Sequence, residues 1–196
     1  MKIHEMEQGS DEWFEIRKLK MTASNAQAIA TAGVGLETYI TNLVSEYLSS
    51  AEKEKFSNEH TERGHELEET ARALYELEKD FNVEQVGFIE YDEYIGCSPD
   101  GLVGEYGGLE IKCPSDSVYF KQIISDSIPM NYVWQVQMNL FITGRKWWDL
   151  MFYNPNFERN MIIYRILPSE ESFEKLKKGF EKGEKLIKEY LKKYNK

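Results

Sequence analysis

Cysteine, histidine and basic charge are all scarce in this chain of 196 residues, and each scarcity closes off a class of chemistry. No run approaches the roughly 18 apolar residues of a membrane span, and the N-terminal MKIHEMEQGSDEW has no apolar signal core. A cytoplasmic protein is therefore expected. Two cysteines, Cys97 and Cys113, cannot by themselves build a Cys-only zinc or iron–sulfur site. They flank one short segment and could face each other, but two thiols in a cytosolic chain are expected to be reduced core residues. The three histidines, His4, His60 and His65, show no ligand spacing and are read as surface residues. Net charge is −10, and since residues 170–196 hold nine Lys and six Glu, that tail is +3 and the remainder −13. Such a balance offers no broad basic patch, so binding to phosphates would be salt-sensitive and rest on cations and specific contacts. No repeat, linker or low-complexity segment appears. With 41% hydrophobic residues the chain fits one globular domain over 1–196.

What is present is concentrated in SPDGLVGEYGGLEIKCP, Ser98 to Pro114. Asp100 precedes Glu110 by ten residues and Lys112 follows two later. In an extended strand alternate side chains share a face, so Glu110 and Lys112 point together while Ile111 turns into the core. Gly104, Gly107 and Gly108 are expected to supply the positive-φ positions of a tight turn, making Gly101 to Cys113 a β-hairpin. A turn centred between Gly104 and Gly107 sets Asp100 opposite Leu109 to Cys113, so two acids and a lysine converge. Two neighbouring carboxylates repel unless a cation lies between them, and a hard ion such as Mg²⁺ suits oxygen donors. Such an ion polarises a phosphoryl group and lowers the pKa of bound water, which Lys112 would orient or deprotonate. The plain alternative is a hairpin with a surface Glu110–Lys112 salt bridge.

Around this segment the pattern alternates helix and strand. Ser10-Asp11-Glu12 starts a helix running through Trp13 to Leu19, and Thr22-Ala23-Ser24 starts another. Leu36, Tyr39, Ile40, Leu43, Val44, Tyr47 and Leu48 form an amphipathic stripe. Residues 58 to 79 read as a charge-rich helix with Leu67, Ala71, Leu74 and Leu77 inward. Val83 to Tyr91 alternates as a strand before the hairpin. Pro129 opens a helix through Ile142 that Gly144 ends. Trp147 to Tyr153 and Met161 to Leu167 are strands separated by an Asn154-Pro155-Asn156 turn. A last helix runs from Ser169, with Phe173, Leu176, Phe180, Ile187 and Leu191 inward and Gly179 and Gly183 weakening it or marking close backbone approaches. The order fits an α/β fold, a central mixed sheet flanked by helices.

The wording CSPDG…GLEIKCP resembles the phage lambda exonuclease family of viral recombination nucleases, also called YqaJ-like, whose core is the PD-(D/E)XK restriction-endonuclease-like fold. The resemblance continues in EQGSDEWFEIRKLKMTAS, in RGHELEETA from Arg63 and in YVWQVQ from Tyr132, four blocks spanning residues 7 to 137. It implies a Mg²⁺-dependent 5′-to-3′ exodeoxyribonuclease that degrades one strand of linear duplex DNA from a 5′-phosphorylated end and leaves 3′ single strand. Two ions are implied, with Mn²⁺ a substitute, held by Asp100, Glu110 and the Ile111 carbonyl, with Glu68 near the second. Lys112 would activate water, and Gln135 would touch the scissile phosphate or that water. Arg17, Thr22, Ser24 and Ser98 match the residues that bind the terminal 5′-phosphate. From spacing alone, Ser24 reads rather as a helix N-cap beside a surface Arg17 and Glu68 as a partner of Arg72 at i+4, while Gln135 has the alternative of a surface amide. The family's further acid has three competitors here, Glu90, Asp92 and Glu93, and the strand-separating residues have no match within Ala32 to Phe56. A homotrimeric ring, a single-strand annealing recombinase partner and a phage or prophage origin in a bacterial host are also implied. Rival readings are an endonuclease or resolvase on the same core, or a non-catalytic acidic DNA-binding or DNA-mimic protein. A CRISPR-associated relative is disfavoured, because its iron–sulfur cluster needs more cysteines.

Overall fold

β-Branched and aromatic segments pair into two sheets, and amphipathic helices close over them. The computed structural model describes residues 1–50, 59–125 and 127–196, with 59–66 described by backbone alone. The larger sheet has five strands in the order β3 (Val83–Glu84), β6 (Gly101–Val103), β7 (Gly107–Lys112), β8 (Trp147–Tyr153) and β9 (Met161–Ile166). Only β7 and β8 run parallel. A parallel pair needs a long crossover, which α5 (Asp116–Ser125) and α6 (Met130–Thr143) supply. The smaller sheet orders β1 (Lys2–His4), β4 (Phe88–Glu90), β5 (Ile95–Cys97) and β2 (Met21–Thr22), with β2–β5 parallel. The remaining helices are α1 (Asp11–Ile16), α2 (Ala26–Thr31), α3 (Val34–Leu48), α4 (Glu59–Lys79) and α7 (Glu170–Tyr194).

Strand alternation divides the core. Leu109 and Ile111 of β7 join Met151 and Tyr153 of β8 in a cluster with Ala71 and Tyr75 of α4. Trp148, Leu150 and Phe152 point the other way, into the larger cluster shared with α2, α3, α6 and α7. Glu110 and Lys112 lie on this second face of β7, as the alternation predicts.

Several expectations change in detail. The predicted strand over Val83 to Tyr91 is two strands in different sheets, broken at residues 85–87, where a side chain on Gly87 would run into the Met6 backbone. Of the hairpin glycines only Gly104 has positive φ, +51°. Gly107 and Gly108 are instead required because the Trp147 and Trp148 rings occupy the space a Cβ would need. Arg145 Nη1 pins the turn through the carbonyls of Gly104 at 2.7 Å and Gly107 at 2.6 Å. The first helix ends at Ile16 rather than Leu19, and Leu19 takes a left-handed φ of 58°. Leu77 is 81% exposed and Tyr75 is buried in its stead. Thr22 and Ser24 open a 3-10 turn over Ala23–Asn25 before α2, without a side-chain cap bond from Thr22. Neither cysteine is in a disulfide; Cys97 is buried and Cys113 partly so. His4 is not a plain surface residue, since its Nε2 meets Glu90 Oε2 at 3.0 Å; the side chains of His60 and His65 fall outside the described residues.

Candidate active site

The β6–β7 hairpin builds the first half of the site. Gly101 pairs with Leu109, and continuing that register by one step sets Asp100 opposite Glu110. Asp100 Oδ2 accepts the Ile111 backbone N–H at 2.6 Å. Because N–H and C=O of one strand residue point to the same side, the Ile111 carbonyl faces that same edge, beyond the start of β6. Glu110, only 1% exposed, accepts at Oε1 from Lys112 Nζ at 2.6 Å and Gln135 Nε2 at 2.5 Å, and at Oε2 from Asn139 Nδ2 at 3.1 Å. Gln135 and Asn139 lie one turn apart on α6. Glu68 reaches in from α4, held by Arg72 Nη2 at 2.8 Å. Arg72 is itself buried, and Gln85, with its carboxamide oxygen turned toward it, accepts from Nη1 and Nη2. Glu68, Asp100, Arg72 and Gln85 line a cleft of about 900 Å³.

The electrostatics are those of crowded acids. Burial, reinforced by the Asp100 charge, pushes both Glu68 and Glu110 up to about 7. Burial alone would lower the Lys112 ammonium, but Glu110 and Asp100 outweigh it and raise its pKa. Among the described residues no three Asp, Glu, His or Cys side chains by themselves form a metal-holding group. Two carboxylates and the Ile111 carbonyl nonetheless give an all-oxygen donor set that suits a hard cation retaining several waters. The residues fit such an ion, which would offset the burial and the repulsion that together raise the two glutamates.

The second half lies beyond Ser98-Pro99-Asp100. Ser98 Oγ accepts from Arg17 Nη1 and Trp13 Nε1, both at 2.9 Å, and the Arg17 guanidinium stacks 4.0 Å from the Trp13 ring. Thr22 Oγ1 and Ser24 Oγ stand 3.4 Å apart, and the Thr22 N–H is held by the Tyr39 hydroxyl at 3.1 Å. Arg17, Thr22 and Ser24 line one cleft of about 410 Å³, with Tyr39 at its wall. Burial lowers the Arg17 pKa from its ordinary value, against opposing effects of Tyr39 and Cys97.

Every residue assigned to the site from the sequence thus falls at one of two adjoining places. The three competing acids do not. Glu90 accepts from Lys20 Nζ at 2.8 Å and from His4, which hold it below the usual carboxylate range, and Asp92 caps the Tyr94 N–H. The carbonyls of Asp92 and Glu93 also receive Lys20. Sequence reasoning missed Trp13, Gln85 and Asn139. The i+4 relations of Trp13 to Arg17 and of Asn139 to Gln135 were the available signals.

Sheet order, hairpin and converging acids define a nuclease fold of the PD-(D/E)XK type. The YqaJ-like viral recombinase domain model matches residues 12–146, and the chain belongs to that family. It is similar to an alkaline exonuclease, LHK-Exo, from Laribacter hongkongensis, with 31% identity, coverage of 95% of this chain and 98% of that one, and a TM-score of 0.82. The same enzyme in complex with dAMP gives 30% identity, 93% and 99% coverage and a TM-score of 0.76. A phage-related exonuclease from Haemophilus somnus 129PT shares the fold at 14% identity, 89% and 96% coverage and a TM-score of 0.69. Among curated protein sequences nothing matches. No helix among the described residues is long and apolar enough to cross a membrane.

Proposed function

We propose that this chain, acting as one nuclease domain over residues 1–196, is a Mg²⁺-dependent 5′-to-3′ exodeoxyribonuclease that degrades one strand of linear duplex DNA from a 5′-phosphorylated end. The observation that carries the reading is the tripeptide Ser98-Pro99-Asp100. Ser98 belongs to the Arg17 cluster and Asp100 to the acidic one. Two residues of extended chain span at most about 7 Å, the scale of a single nucleotide. A terminal phosphate bound at Arg17, Thr22, Ser24 and Ser98 would set the next phosphodiester at the acids. Release of one nucleotide per cut follows.

Asp100, Glu110 and the Ile111 carbonyl would hold the ions, with Glu68 beside the second. Bound Mg²⁺ supplies polarisation of the phosphoryl group and a water of lowered pKa. Lys112, kept as an ammonium by Glu110 and Asp100, orients that water and offsets charge on the phosphoryl oxygens rather than accepting a proton. Gln135, whose Nε2 is on Glu110, presents its carboxamide oxygen as the acceptor that aims the water. Attack of the water oxygen at phosphorus would break the bond to the 3′-oxygen. The proton lost by the water passes to solvent, and the 3′-oxygen takes one from solvent as it leaves. The remaining strand keeps the phosphoryl group, so each cut makes a new 5′-phosphate for the Arg17 pocket.

Subunit closure fits the same reading. An acidic monomer would hold duplex poorly, whereas a homotrimeric ring retains it by topology, and the exposed apolar residues Val118, Phe120 and Ile124 of α5 offer contact surface. A single-strand annealing recombinase would use the 3′ strand produced. Incubating covalently closed and linearised forms of one plasmid with the protein tests the proposal. Loss of the linear form in Mg²⁺, with the closed circle intact and both intact in EDTA, is expected; cutting of the circle would favour an endonuclease.

A further inference from the structure

Asn139 occupies a position that packing does not explain. It is 1% exposed, between the buried apolar Met138 and Leu140 on α6. Its Oδ1 is buried and finds no hydrogen-bond donor among the described residues. A half-satisfied buried amide is destabilising next to an apolar side chain of similar size. Among the described residues the one bond its side chain makes runs from Nδ2 to Glu110 Oε2 at 3.1 Å. The opposite amide rotamer would set a carbonyl oxygen against the carboxylate, so that bond also fixes how the amide lies.

Gln135 stands four residues earlier and reaches the other oxygen of the same carboxylate. Residues at i and i+4 project from one helix face, so α6 grips Glu110 by both oxygens with two neutral donors. Neutral donors orient a carboxylate without cancelling the negative charge a cation needs. Lys112 meets Oε1 alone, so among the described residues Asn139 is the sole donor to Oε2 and decides how the carboxylate plane turns.

We propose that Asn139 is a positioning residue of the metal centre, one that sets Glu110 to receive a divalent cation without touching DNA or the ion. The inference rests on the reading of Glu110 as a metal ligand. Partners that orient a ligand typically change metal affinity by about 10–100-fold when removed.

Mn²⁺ binding to the purified full chain, followed by the loss of its free-ion paramagnetic resonance signal, tests this without turnover. Asn139→Leu removes the donor at similar size, Asn139→Ala removes it without overpacking, and Glu110→Gln removes the ligand. Thermal melting reports folding of each. The expected result is Mn²⁺ binding weakened at least 10-fold in a folded Asn139 variant, and a larger loss in Glu110→Gln. Wild-type affinity in the Asn139 variants beside a weakened Glu110→Gln overturns this inference alone. Wild-type affinity in Glu110→Gln overturns the metal-site reading and this inference with it. If neither Asn139 variant folds, the residue is structural and the inference fails.

Discussion

Three donors on one buried carboxylate show how much of this fold is organised around Glu110. A carboxylate so placed is costly unless a cation shares it, and Asp100 nearby deepens the need. Replacing Asp100 with Asn, Glu110 with Gln or Lys112 with Ala is therefore expected to lower cleavage by several orders of magnitude, since ion binding and water activation supply much of the barrier reduction. Circular dichroism should still show a folded chain; near-wild-type rates in any of the three would remove that residue from the chemistry. Arg17 acts at the other end of the tripeptide. A charged hydrogen-bonding partner is worth ~1.5–3 kcal/mol, so Arg17→Ala should slow 5′-phosphorylated ends roughly 10- to 150-fold, the same energy expressed as a rate ratio, and 5′-hydroxyl ends far less. Equal slowing of both substrates would mean that the pocket does not read the phosphate.

Elements place these residues by tight contact between backbones. On α7, Gly179 meets the Ile29 carbonyl of α2 with no room for a Cβ. Gly179→Ala should therefore destabilise by ~1–3 kcal/mol through overpacking, although alanine alone would favour the helix by about 1 kcal/mol; a raised urea midpoint would contradict this packing. That contact was legible as a glycine interrupting an amphipathic stripe, and the hairpin was legible because strand alternation and turn glycines act locally. Other elements left weaker traces. β1, β2 and β3 span two or three residues, too few for alternation to register. α5 buries Tyr119 and Gln122 while exposing Val118, Phe120 and Ile124, so its hydrophobic pattern is reversed. Gly87 looked like part of one strand because its close approach to Met6, which leaves no room for a Cβ, is long-range. Asn139 left only its i+4 relation to Gln135 as a signal, because its partner Glu110 lies on another element.

At the scale of the whole molecule, charge is the governing fact. In the metal-free fold Glu68 and Glu110 titrate at about 7 instead of 4.5. Between those values the folded chain holds protons the unfolded chain has released, so stability is greatest near the lower value and falls as pH rises through the window. Melting in EDTA should drop from pH 5 to pH 7.5, and Mg²⁺ should recover much of the loss by binding the ionised acids; a flat profile in EDTA would contradict the crowded-acid picture. The ring predicts a species of about 69 kDa, three times 23.0, by light scattering after gel filtration, and a lone ~23 kDa species at micromolar concentration would argue against it, since a specific interface should persist there. The central claim is that a phosphate pocket and a metal site one nucleotide apart peel single nucleotides from 5′ ends. Linear duplex carrying a labelled 5′-phosphate on one strand and a different label at the 3′ end of that strand tests it most directly. In Mg²⁺ the 5′ label should appear first and only as mononucleotide, while the 3′ label stays in a shortening strand. Release of the 3′ label first, or of the 5′ label in longer fragments, would contradict the account.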